Sequence, residues 1–470
     1  MSPEEFREHG HRLIDWVADY WDSLEDRRIV PDVQPGDIRA RLPEHAPEQA
    51  EPFSRVLDDL DDVVMDGLTH WQAPGWFAYF PANASLPSVL GELAAAGLGQ
   101  QGMLWATSPA ATEIEAHVLD WLVELLGLPP AWLSTGPGGG VMQMSASDST
   151  HTALVVARER ARGSGEAVRG IDDLVVYTST QAHSSVEKGA RVAGFRHVRL
   201  VDVDEVFAMS PHALSAAIAR DTDAGLTPAA VVSSIGTTGT TAIDPVRAIA
   251  EIARKVGAWH HVDAAYAGSA LICPELQWMT DGLELVDSFT FNPHKWMFTN
   301  FDANVFYVAD RAPLLQTLSI LPPYLRDAAG ETGQVLDYRD WHVPLGRRFR
   351  ALKLWFVLRS YGAEAIREHV REHMEWARGL AEHIEADPRL VLVAPTSLAL
   401  VSFRHVAGDE ATTALASAVN ASGHSYVTSS VVDGRAFVRV SVGATTTRAE
   451  HVERLWRLID ESAAPVGVRP

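Results

Sequence analysis

Apolar and polar positions along this chain follow a helical period first and a strand period later. From Phe6 onward, Leu13, Val17, Tyr20 and Leu24 recur every three or four positions, which predicts an amphipathic helix. Ser2, Pro3 and Glu5 suit its start as cap, first helical residue and partner of a capping box. The Pro-, Glu- and Asp-rich stretch 31–52 reads as an extended arm, and a second helical pattern passes through Val56, Leu60, Val63 and Val64. Further helices are expected over 86–98 and 112–126. Strand-like runs, 174–178, 229–234, 259–264 and 287–292, then alternate with helical stretches. That alternation predicts an α/β fold with a mainly parallel central sheet flanked by helices.

After Tyr307 the pattern loosens until Leu345, and the small polar run 327–333 suits a mobile flap. Helical periodicity resumes through Leu352, Trp355 and Leu358, and again through Ile366, Val370, Met374 and Ile384. The runs 391–393, 398–403 and 437–442, with a last helix over 447–459, make a small α+β unit. The expected organisation is a helical N-terminal dimerisation segment with an arm (1–85), a large α/β domain (86–350) and a small C-terminal domain (351–470). The first segment is too small to bury its own apolar face, so it is expected to pack on a second subunit or on its own chain.

A net charge of −22 disfavours a nucleic-acid surface, which needs clustered Lys and Arg, and favours a small-molecule partner. Cys273 is the only cysteine, which excludes an internal disulfide and multi-cysteine zinc sites and suits a reducing cytoplasm. No basic-then-apolar leader opens the sequence, and no apolar run approaches a membrane span. A cytoplasmic protein without a membrane partner is expected.

The strand-like runs end in residues suited to chemistry: 181–185 around His183, Gly236-Thr237-Thr238, Asp263-Ala264-Ala265-Tyr266, and Asn292-Pro293-His294-Lys295-Trp296. In open α/β sheets, ligands gather beyond the carboxyl ends of strands. Pro293 removes a ladder donor and ends its strand near Asn292, so Lys295 projects from a rigid strand end. A lysine there and a carboxylate, Asp263, one crossover earlier meet the demands of pyridoxal phosphate. The amine holds the aldehyde as a Schiff base, and the carboxylate keeps the pyridine nitrogen protonated. His183 can stack on the ring. Ser145 and Ser147, after the glycine run 136–140, can cap a helix or hold a phosphate at its N-terminus. That run is not the dinucleotide fingerprint, because Val141 replaces its third glycine. The aromatics Trp71, Trp76, Phe77, Tyr79 and Phe80 can fill a core or wall an apolar pocket.

With those motifs in view, the sequence resembles the aromatic L-amino acid decarboxylases, group II pyridoxal phosphate decarboxylases, almost end to end. Most specific are His70-Trp71-Gln72, Ala78-Tyr79-Phe80-Pro81, Gln181-Ala182-His183-Ser184-Ser185, Val262-Asp263-Ala264-Ala265, 291–296 and 344–350. The resemblance implies a fold type I pyridoxal phosphate enzyme and an entwined homodimer. It makes Lys295 the Schiff-base lysine, Asp263 the partner of the pyridine nitrogen and His183 the stacking ring. Ser145, Ala146, Ser147, Thr238, Ala265, Asn292 and His294 fall on cofactor contacts. Tyr324 matches the loop tyrosine that returns a proton to the substrate carbon. Trp71, Tyr79, Phe80, Pro81, Ala82, Met103 and Gly346 fall on substrate-pocket positions.

The implied reaction converts an aromatic L-amino acid to its arylethylamine and carbon dioxide. Glycine at position 346 accompanies indolic substrates in plant relatives and serine phenolic ones, which favours tryptophan-like substrates over tyrosine, dihydroxyphenylalanine or phenylalanine. Ala82 and Met103 depart from the threonine and phenylalanine of animal members, which blurs that preference. Two rivals are an aromatic aldehyde synthase, in which phenylalanine typically replaces the loop tyrosine, and a non-catalytic cofactor or amine binder. A metal-dependent enzyme is a weaker option. His369-Val370-Arg371-Glu372-His373 spells H-x-x-E-H, but on a helix so rich in Glu and Arg a solvated charged face is the expected reading.

Overall fold

The computed structural model describes residues 1–163, 170–320 and 335–463, which fall into two units. The larger, Ala82–Glu382 with Leu392–Phe403, is built on a seven-stranded sheet. Its strands are β1 (Gly139–Gln143), β2 (Leu174–Ser179), β3 (His197–Val201), β4 (Thr227–Ser234), β5 (Trp259–Asp263), β6 (Ser288–Phe291) and β7 (Asn304–Val308). They lie in the order β1-β7-β6-β5-β4-β2-β3. The β6–β5, β5–β4, β4–β2 and β2–β3 pairs are parallel, while β7 runs antiparallel to both neighbours. The expected mainly parallel sheet is present, and its carboxyl ends deliver positions 143, 179, 234, 263 and 291 to one edge.

Helices cover both faces, and successive side chains of one strand enter different cores. Val176 and Val232 pack with Leu154, Val156 and Trp259, whereas Val175, Tyr177 and Val231 pack with Leu214, Ile218 and Ile249. A strand apolar on both sides therefore reads as a continuous hydrophobic run. Each such valine contributes about 1.5–3 kcal/mol relative to an exposed one.

β6 is a strand as expected, and it carries an alternating pattern inside the core. Its polar–apolar alternation suggests one solvated face, yet all of Ser288–Phe291 is buried. The two polar residues are satisfied internally: Ser288 Oγ accepts from Trp259 Nε1 (2.8 Å), and Thr290 Oγ1 donates to the Val305 carbonyl (2.9 Å). The glycine run also changes meaning, because Gly139 and Gly140 open β1. A Cβ on Gly138 would lie 2.1 Å from the Val308 carbonyl oxygen, so the run permits close approach to β7.

The smaller unit gathers Met1–Pro81, His383–Val391 and the chain from Arg404 onward. This grouping differs from the three consecutive segments expected. The helical stretch Ala351–Ala386, broken at Gly362 (φ 73°), stays with the larger unit through Glu382, because its side packs there: a Cβ on Gly91 would meet Lys353 Cα at 2.7 Å. The first helix, Pro3–Asp22, has the expected reciprocal cap, with Ser2 N–H donating to Glu5 Oε2 (2.6 Å) and Glu5 N–H to Ser2 Oγ (3.2 Å). None of its residues is buried. A second sheet has the order β10-β11-β9-β8, with β8 (Leu390–Leu392), β9 (Leu400–His405), β10 (Thr428–Val432) and β11 (Arg435–Ser441). Asp433 and Gly434, both at positive φ, join β10 to β11 as a two-residue hairpin turn.

Candidate active site

Lys295 lies on a single helical turn, Pro293–Trp296, immediately beyond β6. Four residues cannot sustain a helix alone, so its neighbours hold it. Asn83 donates from its backbone N–H to the His294 carbonyl (2.8 Å) and from Nδ2 to the Lys295 carbonyl (2.7 Å). Trp296 stacks on Tyr266 at 4.7 Å, and its Nε1–H donates to His373 Nδ1 (3.0 Å). Tyr266 belongs to the turn after β5, so one aromatic stack joins the lysine's turn to that of Asp263.

Asp263 ends β5. Its Oδ1 accepts from the Ala265 N–H (2.9 Å) and its backbone carbonyl from the Ile235 N–H (2.9 Å). The Ala265 carbonyl in turn accepts from the Asn292 N–H (3.0 Å), which ties the ends of β5 and β6 together. His183 follows β2. Its Nδ1 accepts the Ser185 N–H (3.1 Å) and pairs with Ser185 Oγ (2.7 Å), which leaves the ring proton on Nε2. Desolvation holds this imidazole below its usual pKa. Asp263 opposes the shift and the Lys295 cation adds to it, so the three groups share one electrostatic neighbourhood.

The phosphate candidates gather at the helix Ala146–Arg162. Ser145 caps it by accepting the Asp148 N–H (3.3 Å), and the Ala146 N–H donates to Asn292 Oδ1 (3.1 Å). Asn292 Oδ1 also accepts from Asn304 Nδ2 (2.8 Å), which fixes the amide. Ser147 is exposed at the positive end of this helix dipole and shares a cavity of about 330 Å³ with His183, Ser185, His151 and Lys188. Thr238 lies in a turn after β4 where Gly236, at φ 84°, has a virtual Cβ only 2.7 Å from Ala267 Cβ. Thr237 Oγ1 accepts the Ala242 N–H (3.0 Å) to close that turn. His294 is almost fully buried; its Nδ1 accepts the Ala303 N–H (3.0 Å) and burial lowers its pKa to about 3, so it is neutral. A primary amine, a carboxylate, a neutral ring and a helix N-terminus with hydroxyls form a donor set that fits pyridoxal phosphate.

The substrate-pocket candidates divide. Ala82 adjoins Asn83, the residue that holds Lys295. Met103 and Gly346 gather around Arg347: the Met103 carbonyl accepts the Arg339 N–H (3.0 Å), and Gly102 N–H donates to the Arg347 carbonyl (3.0 Å). Arg347 is buried, with Nη2 2.5 Å from Glu115 Oε1. Trp71, Tyr79, Phe80 and Pro81 belong to the smaller unit, where Trp71 packs on Trp76 (4.4 Å) and Tyr79 (5.6 Å), and Arg439 lies over Phe80 (5.1 Å). Trp76 and Phe77 are core, whereas Trp71 and Tyr79 are exposed. Tyr324 and the run 327–333 lie outside the described residues.

The H-x-x-E-H stretch resolves into two different environments. His369 pairs with Glu372 on the surface (3.1 Å), but His373 is buried and its Nδ1 is engaged by Trp296, which corrects the solvated reading for that residue. Sequence reasoning missed Asn83, Tyr266, His373 and Asn304 as supports. Among them only Tyr266 has a local signal, since it stands in the strand-end run 263–266 itself.

Comparison with known proteins bears on the whole chain. Residues 35–406 match the pyridoxal-dependent decarboxylase conserved domain. Phenylacetaldehyde synthase of Arabidopsis thaliana is 42% identical over 99% of this chain and 97% of its own length. Tryptophan decarboxylase 2 of Oryza sativa subsp. japonica is 40% identical over 99% of this chain and 96% of its own. The crystal structure of Oryza sativa TDC with PLP and tryptamine superposes with a TM-score of 0.96 at 38% identity, covering 98% of both chains. With the lysine, aspartate and histidine brought to one sheet edge, the chain belongs to the pyridoxal phosphate-dependent decarboxylase family.

Proposed function

We propose that this chain decarboxylates an aromatic L-amino acid to an arylethylamine and carbon dioxide. The observation that carries the reading is the shared neighbourhood of Lys295, Asp263 and His183 at the carboxyl edge of the parallel sheet. The tryptophan decarboxylase and phenylacetaldehyde synthase relatives support an aromatic substrate. Pyridoxal phosphate, when bound, supplies a protonated ring that accepts the electrons of the breaking Cα–carboxylate bond. Asp263 would hold the ring proton through a carboxylate already oriented by the Ala265 N–H. The Ser145-capped helix, with Ala146, Ser147 and Asn292, would hold the phosphate, and Thr238 would make another cofactor contact. Lys295 would anchor the cofactor through its side-chain amine. His183, with its proton on Nε2, would cover the ring face, and His294 would flank it as a neutral imidazole.

Tyr324 is proposed as the acid that protonates the substrate carbon. Because a phenylacetaldehyde synthase is among the relatives, the oxygen-consuming aldehyde-forming reaction is the second reading. A homodimer is proposed to complete the pocket, supported by the exposed stripes Phe6, Leu13, Ile14 and Leu86, Leu90, Leu93. The cytoplasm is the proposed compartment. Among the described residues no helix is long and apolar enough to cross a membrane.

The deciding experiment feeds tryptophan, 5-hydroxytryptophan, tyrosine, dihydroxyphenylalanine and phenylalanine to the holoenzyme and follows carbon dioxide, amine and peroxide together. Carbon dioxide matched by amine is expected. Peroxide and aldehyde in step with carbon dioxide establish the second reading instead, and no carbon dioxide from any substrate refutes both.

A further inference from the structure

We infer that Gln101 is a specificity-determining residue that reads a hydroxyl on the substrate's aromatic ring. The inference rests on the proposed decarboxylation and on Met103 and Gly346 lining the pocket. Gln101 is not free to wander. Its Oε1 accepts the Arg347 N–H (2.7 Å), while the adjacent backbones are joined by Gly102 N–H to the Arg347 carbonyl (3.0 Å) and by Arg347 Nη1 to the Gly102 carbonyl (3.2 Å). Arg347 is itself immobilised, buried against Glu115 and under the ring of Tyr338 at 4.6 Å. The amide oxygen is thus engaged, which leaves the nitrogen as the end of the side chain that can meet a ligand.

That nitrogen borders the space glycine leaves open. A Cβ built on Gly346 would lie 3.3 Å from Gln101 Nε2 and would meet no other atom within 4 Å. Gln101 is exposed, and among the described residues its Nε2 has no acceptor. An oriented N–H donor beside an open space suits an oxygen on a ring that enters there. A phenolic or 5-hydroxyindolic side chain supplies that acceptor; an unsubstituted ring leaves the amide to water or strips it. Hydrogen-bond readout of one group discriminates more sharply than added apolar volume.

The test compares kcat/KM of the holoenzyme for two pairs, tyrosine against phenylalanine and 5-hydroxytryptophan against tryptophan, in wild type, Gln101→Leu and the near-isosteric Gln101→Met. The wild type should favour the hydroxylated member of each pair, and each variant should lower that ratio about 3- to 10-fold, the range of one neutral hydrogen bond. Dissociation constants of the product amines tyramine and phenethylamine should show the same loss of discrimination. Carbon dioxide release with unchanged ratios in a variant of wild-type cofactor content overturns the assignment of Gln101 alone. No release from any aromatic substrate by the wild type overturns the decarboxylase reading, and this one with it.

Discussion

Acid should weaken this protein through two histidines in its central strand. His260 and His261 have no exposed surface and stand just ahead of Asp263 on β5. Their partners are neutral hydroxyls: Ser233 for His260 (2.7 Å), and Thr150 (3.3 Å) and Ser288 (2.9 Å) for His261. Burial lowers each to about 3, with the neighbouring imidazole adding to the effect on His261. An unfolded histidine titrates near 6.5, so between about 6.5 and 3 the unfolded chain binds protons that the folded one refuses. The stability contributed by each neutral ring is therefore complete above pH 6.5 and declines as the pH falls toward 3. The slope is about 1.4 kcal/mol per pH unit for each ring, so moving from pH 6.5 to 5 removes about 2 kcal/mol apiece and about 4 for the pair. That is a large part of a typical stability of about 5–15 kcal/mol. Urea unfolding at fixed ionic strength and pH 7, 6 and 5, followed by tryptophan fluorescence, measures the slope. His260→Gln retains a hydrogen-bonding group for Ser233 and should flatten the slope by about 1.4 kcal/mol per unit between pH 6 and 5. An unaltered slope in that variant would mean that His260 titrates alike in both states, and would refute the reasoning.

Three further outcomes are expected. Glu115→Ala leaves the buried Arg347 cation without its counter-charge, at a cost of about 3–5 kcal/mol; spread over the roughly 310 residues of the larger unit, that lowers its thermal midpoint by about 6 °C, and a shift below about 1 °C by circular dichroism would contradict it. Trp296→Phe keeps the ring against Tyr266 but deletes the donor to His373, so it should cost about 1–3 kcal/mol in urea unfolding and quicken loss of the yellow cofactor on gel filtration. Gly346→Ser places a Cβ 3.3 Å from Gln101 Nε2 and should move preference from indolic toward phenolic substrates; an unchanged ratio of kcat/KM values would sink the proposed gate.

The strand ends were readable in the sequence because the strand-like runs of four central strands each close on chemically distinctive residues, at 181–185, 236–238, 263–266 and 292–296. β1, β3 and β7 were not. β1 begins inside a glycine run, β3 is an edge strand whose residues are mostly half-buried, and β7 follows the loosely patterned stretch 297–303. The candidate site shows the same division. Lys295, Asp263 and His183 announce themselves by type and place, whereas their supports are set by long-range packing: Asn83 meets Lys295 across 212 positions, and His373 meets Trp296 across 77. Periodicity is blind to such pairs. It misread His373 for this reason, since a charged helix can still turn one histidine inward onto an indole.

The turn that bears Lys295 borrows its position from all three of these directions: the strand before it, Asn83 far upstream, and His373 far downstream. Reactivity at this lysine is therefore a property of the closed larger unit. A fragment that ends before residue 373 would contain every residue of the lysine motif and still lack the abutment that the long helix gives it. During synthesis the amine would be made well before the structure that aims it, so productive capture of the cofactor is expected only once the long helix is in place.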